Sequence, residues 1–384
     1  MAYSTIYFFI GTTAELIKMM PVMRACARRG IEFQLLASGQ NDIERSELLK
    51  YCEKQAPDLV LFRGQIKKSA LGLLWWFVRT FCSAFWQLRP LFRRHRRGEA
   101  VLVVHGDTVS TVMGALLGRL HGLDVAHVEA GLRSFDYFHP FPEEIDRVIT
   151  SRLATLHFCP NGWAVGNLQK RRGDKIDTGH NTLLDALALA QAEAEPSPRL
   201  APLRDEPYFV FVLHRQENLF DDQLVRDLVG RAIAQSRWMR CVFILHHLTE
   251  VHLRRLNLLE VLREQPNITL FERLPYIEFM QLLAGADHVV TDGGSNQEEC
   301  YYLGKPCLVL RNVTERTEGL EHNVVLSRLD PAVIDAFLAE PGRYARPPIR
   351  VDERPSDIIA ARLGGEVAHR AGAPGREQLA VGQS

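Results

Sequence analysis

A chain of 384 residues is long enough for two domains or one large α/β domain. With 46% hydrophobic and 24% charged residues it has ordinary globular composition, and its 46 basic and 46 acidic residues cancel, which excludes a global field drawing it to nucleic acid. Seven scattered cysteines, without a CxxC pair, argue against a disulfide framework and for a reducing, cytoplasmic setting.

The N-terminus, MAYSTIYFFIGTTAEL, lacks the basic flank of a signal peptide and is too short an apolar run to span a bilayer. It reads as a buried strand at 7–10, followed by a helix over 14–29 and a second strand at 32–36. Strands at 100–104 and 125–128 flank a helix that begins near Thr108, and a strand at 156–159 closes this half. A polar, proline-containing segment, 191–205, reads as the linker region. Strands at 208–213, 241–245, 268–271, 288–291 and 307–310 then form a second alternating run. The pattern predicts an α/β protein with two doubly wound Rossmann-like domains facing a cleft. The expected domains are 1–188 and 203–350, and the stretch 366–384, rich in Gly and Ala, is expected to be disordered.

One stretch, SALGLLWWFVRTFCSAFWQLRPLFRRHRR at 69–97, stands apart. From Arg63 to Arg97 there are nine Lys or Arg and no acid. Leu73, Trp76, Phe77, Phe81, Phe85 and Leu88 fall on one helical face. Two readings fit: a core-facing helix with a basic C-terminal end, which suits the helix dipole, or a helix lying in the headgroup layer of an anionic membrane.

The residues that can carry chemistry sit at strand ends, where open α/β sheets bind ligands. GTTAELIK puts Gly11 in a turn whose amides and helix N-terminus suit an anion, with Glu15 and Lys18 on one helical face. Asp107 in VVHGDT has the position of a helix N-cap. In HVEAGLRSFDYFHPFPEE, Glu129 ends a strand while Glu143 and Glu144 open a helix. Arg147 then falls at the i,i+4 position from Glu143, and Glu144 reads as a helix-start acid. LHRQEN places His214 and Arg215 at another strand end. TDGGSNQEECYYLGKP offers a Gly-rich turn into a helix, with Gly294, Ser295 and Glu299, and RNVTERTE adds Arg311 and Arg316. No zinc spacing, GxSxG, Walker A or GxGxxG motif is present. A pyrophosphate turn on one side of a cleft and carboxylates on the other suggest a nucleotide-sugar enzyme.

In order along the chain, GTTAELIKMMPV, VHGDT, HVEAGLRS, FPEEIDR, TGHNTLLDAL, LHRQEN, TDGGSNQEE, LGKPCLVLRNVTERTEG and PSDIIAARLGG resemble the non-hydrolysing UDP-N-acetylglucosamine 2-epimerases. The resemblance covers roughly residues 6–365 and implies the two-domain GT-B fold, with UDP held mainly by the second domain. The family's catalytic groups match Asp107, Glu129, Glu143 and His214. Its nucleotide-binding groups match Lys18, Gly294, Glu299 and Arg316, and Arg147 matches an arginine of the substrate cleft. Gly11, Arg215 and Ser295 complete the expected substrate-binding set. The implied reaction inverts C2 of UDP-GlcNAc to give UDP-ManNAc for bacterial surface polysaccharide, through loss of the C2 proton and of UDP, without metal or NAD. A homodimer is also implied.

Departures from the family pattern are specific. Thr13 and Ala14 replace the Arg-Pro of the first motif, Gly293 replaces a serine of the phosphate turn, and Gln40-Asn41 is all that remains of a Gln-His stretch. The lost arginine and the basic 69–97 stretch keep a second reading open, a membrane-associated GT-B glycosyltransferase acting on a lipid-linked or polysaccharide acceptor. A third is a UDP-sugar sensor without catalysis.

Overall fold

The computed structural model describes residues 2–64, 70–137, 141–193, 197–314 and 316–365. Two parallel sheets organise these residues. The first joins β1 (Thr5–Ile10), β2 (Phe33–Ala37), β3 (Leu59–Val60), β4 (Ala100–His105), β5 (Asp124–Val128), β6 (Leu156–Cys159) and β7 (Asp174–Asp177) in the order β3-β2-β1-β4-β5-β6-β7. The second joins β8 (Tyr208–Val212), β9 (Arg240–Leu245), β10 (Ile268–Glu272), β11 (Val289–Thr291), β12 (Cys307–Val309) and β13 (Val324–Leu326) in the order β10-β9-β8-β11-β12-β13. Two doubly wound sheets facing a cleft are the expected GT-B arrangement.

The central strands are near-continuous apolar runs because helices cover both faces. Every residue of β4 is buried, as are residues 6–10 of β1. One face of the first sheet packs on α1 (Thr13–Arg28) and on the helices Leu183–Glu193 and Pro355–Leu363. That last helix follows the second sheet in sequence yet returns to the first, where Ser356 N donates to Asp185 at 2.7 Å and Tyr3 N to Leu363 O at 3.2 Å. The other face packs on α2 (Ala70–Phe92) and α3 (Val109–Leu120). The expected apolar face of α2 is the one that turns inward: Trp76 and Leu88 are fully buried, with Leu73, Phe77, Phe81 and Phe85 packed beside them.

In both sheets the strand order reverses at one place, between β1 and β4 and between β8 and β11. The helix Leu183–Glu193 packs against Tyr276–Gly285 and Gly294–Leu303 of the other half, and Asn181 N donates to Tyr302 Oη at 3.1 Å. These contacts hold the two reversal points against each other.

Three strands escape the sequence pattern. β3 has two residues, β7 is the charged run DKID, and β13 lies at a sheet edge. Only part of 191–205 is linker: the helix Leu183–Glu193 runs into it and a 3₁₀ turn, Pro198–Leu203, occupies most of the rest. The stretch 366–384, expected to be disordered, lies outside the described residues.

Candidate active site

A cavity of about 820 Å³ lies between the two reversal points, a size suited to a small molecule. On its second-half side, His214 follows β8 and Asp292 follows β11. The buried Asp292 carboxylate accepts from the backbone amides of His214 at 3.0 Å and Arg215 at 2.9 Å, and lies 2.8 Å from His214 Nδ1. Burial pushes that carboxyl up, but the His214 contacts and these amides outweigh it and hold it below the usual range. With Nδ1 occupied, Nε2 of His214 is the nitrogen left for a ligand. The His214 ring stacks on His246 with centroids 4.8 Å apart, and burial, then the charge of His214, pushes His246 down to about 4.

The helix Gly294–Leu303 starts at the same wall, with Gly293 as its N-cap and no side chain capping its first amides. Those amides and the helix dipole suit an anion. A Cβ at Gly293 would sit 2.5 Å from Asn296 Oδ1 and 3.1 Å from His214 Cε1, so a larger residue there needs the Asn296 side chain to move. Asn296 in turn donates to Glu299 at 2.9 Å. Burial, with a smaller push from Glu298, raises the Glu299 carboxyl to about 8 although the Asn296 bond opposes it, so Glu299 keeps its proton at neutral pH. Arg316, also on the wall, is ion-paired with the buried Glu298.

Acids crowd the first-half side. Glu129 sits just past β5 in the left-handed region, φ 65°, which costs a residue with a Cβ about 1 kcal/mol or more. Its buried carboxylate is ion-paired with Lys18, accepts from Asn181 Nδ2 and lies 3.5 Å from His105 Nε2. Burial opposes ionisation, but Lys18 and His105 together hold this carboxyl well below the usual range. Asp107 is ion-paired with Arg147, which starts from the second turn of α4 (Glu143–Leu153).

Three expectations change at this point. The N-cap of α3 is Thr108, whose hydroxyl accepts from Thr111 N at 3.2 Å, so the Asp107 carboxylate is available to Arg147. Arg147 pairs with Asp107 and approaches Glu144 at 3.6 Å; it is not the partner of Glu143. Glu144 is more than a helix-start acid. It is fully buried and accepts from Arg133 Nε at 2.5 Å and Ser134 N at 3.0 Å, tying the loop after β5 to α4. Glu143 Oε2 and Asp146 Oδ2 are buried with no hydrogen-bond partner among the described residues. Burial, then the charges of Asp107 and Glu143, raises Asp146 to about 8.

Of the expected residues, His214, Arg215, Gly294, Ser295, Glu299 and Arg316 line the cavity. Lys18 and Glu129 form a buried pair, and Asp107, Glu143 and Arg147 form a cluster outside the cavity lining; electrostatic coupling of Glu129 to Arg316 and to Arg147 links the groups. Gly11 is elsewhere: its amide donates to Glu15 at 2.6 Å, and a methyl there would collide with Ser110. Thr13 and Arg45 line the cavity from the first half, and Arg273 from the second. Sequence reasoning missed Asn181, His105, Asp292 and Asp146. All four lie inside motifs that carried the resemblance, but only the folded chain shows what surrounds them.

The sequence matches the UDP-N-acetylglucosamine 2-epimerase family over residues 87–340. The UDP-N-acetylglucosamine 2-epimerase of Methanocaldococcus jannaschii is 31% identical over 321 residues, covering 81% of this chain and 85% of that protein. The Yersinia pestis protein of that name is 31% identical over 329 residues, covering 82% and 84%. The crystal structure of the M. jannaschii enzyme in complex with UDP-GlcNAc and UDP aligns with a TM-score of 0.72 at 26% identity, over 94% of this chain and 99% of that one. The Neisseria meningitidis enzyme bound to UDP-GlcNAc aligns with a TM-score of 0.73 at 25% identity, over the same shares. Matches of this extent, together with the GT-B arrangement, show that the chain belongs to the UDP-N-acetylglucosamine 2-epimerase family.

Proposed function

We propose that the protein is a non-hydrolysing epimerase that interconverts UDP-GlcNAc and UDP-ManNAc, supplying the latter for a surface polysaccharide. In this reading residues 203–350 hold UDP, while 1–188, rejoined by a helix over 354–365, handle the sugar. The observation that carries it is the charge asymmetry across the cavity: a helix N-terminus, His214 and Arg316 on one wall, and the Asp107, Glu129 and Glu143 carboxylates behind the other.

Two matched needs follow from the reaction. A carboxylate must take the weakly acidic C2 proton as the C1–O bond breaks, leaving a glycal with a double bond between C1 and C2, and free UDP. A protonated acid must then deliver a proton to the other face of C2 while UDP re-adds at C1, so atoms balance over the cycle. Crowded carboxylates meet both needs, because like charges keep one of them protonated while another is ionised. Asp107, Glu129 and Glu143 are assigned to this work, with Arg147 orienting Asp107. The departing diphosphate gains charge, which His214, Arg215, Lys18, Arg316 and the amides at Gly294 and Ser295 stabilise. Glu299, carrying its proton, is assigned to the ribose hydroxyls.

The test is product identity. Purified protein incubated with UDP-GlcNAc alone, without added nicotinamide cofactor, is expected to reach a stable mixture containing UDP-ManNAc by anion-exchange chromatography and NMR. Absence of UDP-ManNAc after long incubation, or transfer of the sugar only when an acceptor is present, overturns the reading in favour of a glycosyltransferase.

A further inference from the structure

The catalytic reading leaves α2 unexplained. Its inner face fills the core, but its outer face is apolar too: Trp75 is 61% exposed and Trp86 63%, with Leu74 and Val78 beside them. Positions 75, 78, 82, 86 and 89 recur at helical spacing, so these side chains form one outward stripe. Isolated exposed apolar residues are ordinary, but a stripe with two tryptophans is not.

The charge carried by α2 itself has one sign. Arg79 sits over the Trp75 ring at 5.1 Å and Arg89 over Trp86 at 5.2 Å, holding cations at the edge of the apolar stripe. Arg93, Arg96 and Arg97 are exposed where the helix ends. Neither α2 nor α3 contains an acid. His121, just past α3, stacks on Phe85 at 4.6 Å, so exposed Arg119 and Leu120 lie next to the same region.

We propose that the outward stripe of α2, continued by Arg119 and Leu120, docks on the headgroup layer of an anionic phospholipid bilayer. Tryptophan rings favour that depth, and arginines gain from anionic headgroups. No helix of the described residues is long and apolar enough to cross a membrane, so α2 lies along the surface, with its inner face still packed on the sheet. A second copy of the chain is the competing occupant. Two-fold pairing of this face would set Arg79, Arg89 and Arg93 against their own copies with no acid on either helix to answer them. A bilayer supplies the missing negative charge.

The experiment is cosedimentation of the full chain with vesicles of phosphatidylcholine, with and without phosphatidylglycerol. Binding is expected only with phosphatidylglycerol, to be weakened severalfold or more at about 0.5 M salt, and to fall about a hundredfold in Trp75→Ala/Trp86→Ala. Both side chains are largely exposed, so the Tm of the double variant should stay within about 2 °C of wild type; Arg89→Gln/Arg93→Gln provides a second variant that should also lose vesicle binding. Failure of the wild type to sediment with phosphatidylglycerol vesicles overturns the proposal, as does undiminished binding by both variants. A concentration-dependent dimer that the tryptophan substitutions dissociate, with no vesicle binding, assigns the face to a second copy instead.

Discussion

The two reversal points are built alike and differ in how their acids are paired. At β8/β11 each buried acid has its partner: Asp292 is held by His214, two backbone amides and Asn218, Glu298 by Arg316, and Glu299 by Asn296, beside His214, Arg215 and Arg316 on the cavity wall. At β1/β4 acids outnumber their partners: Asp107 and Glu129 share Arg147 and Lys18, while Glu143 and Asp146 each keep a buried oxygen without a partner among the described residues. A satisfied wall holds a fixed anion well. An under-satisfied one stores proton affinity, since each ionisation raises the cost of the next. One scaffold thus separates binding from proton transfer by how completely its acids are paired.

Breaking the acidic side should give the largest effect. Asp107→Asn or Glu143→Gln is expected to lower epimerisation about 10³-fold while UDP affinity by calorimetry stays within about threefold. Equal loss of UDP binding would show that the walls are not divided in this way. On the other side the pattern should reverse: Arg316→Met is expected to weaken UDP binding at least about tenfold. It also leaves Glu298 buried without its partner, so Tm should fall by several degrees, on the order of 5 °C.

Asp146 sharpens the comparison through pH. Its folded pKa is raised from 3.8 to about 8, so it stays protonated in the fold where the unfolded chain has ionised. The stability tied to this group is therefore fully present below about pH 4 and is lost as pH rises through 8. Asp146→Asn mimics the protonated acid, so its Tm should gain on the wild type steadily from pH 4 to 8 and level off above. Glu299, raised to about 8 as well, remains in the variant, so some alkaline loss should persist. A constant Tm difference across this range would mean that Asp146 ionises normally. The smallest change belongs to the turn after β1, where Thr12→Ala removes the capping box of α1 and should cost about 1 kcal/mol, read as a slightly lower urea midpoint.

The same contrast explains what was legible in the sequence. Central strands such as β4 and β8 announce themselves as unbroken apolar runs because both their faces are covered. β7, the charged DKID, carries no such signal because its pairing with β6 is made by backbone alone. Motif residues also announced themselves, but partners did not. Arg147 looked like the i,i+4 mate of Glu143, yet the β4 end brings Asp107 to it from 40 positions away. Glu144 looked like a helix-start acid, yet it is buried against Arg133 of the loop after β5. The outer stripe of α2 was readable as composition, but which tryptophans turn outward depends on where the sheet lies: Trp76 is buried and Trp75 beside it is not.

The most direct measurement of the central claim follows the C2 proton. Incubating the protein with UDP-GlcNAc in deuterated water and examining both sugars by NMR should show deuterium at C2 of UDP-ManNAc and, with time, of recovered UDP-GlcNAc. UDP-ManNAc formed with its original C2 hydrogen retained would contradict the account, because the acids at β1/β4 would then have no proton to exchange.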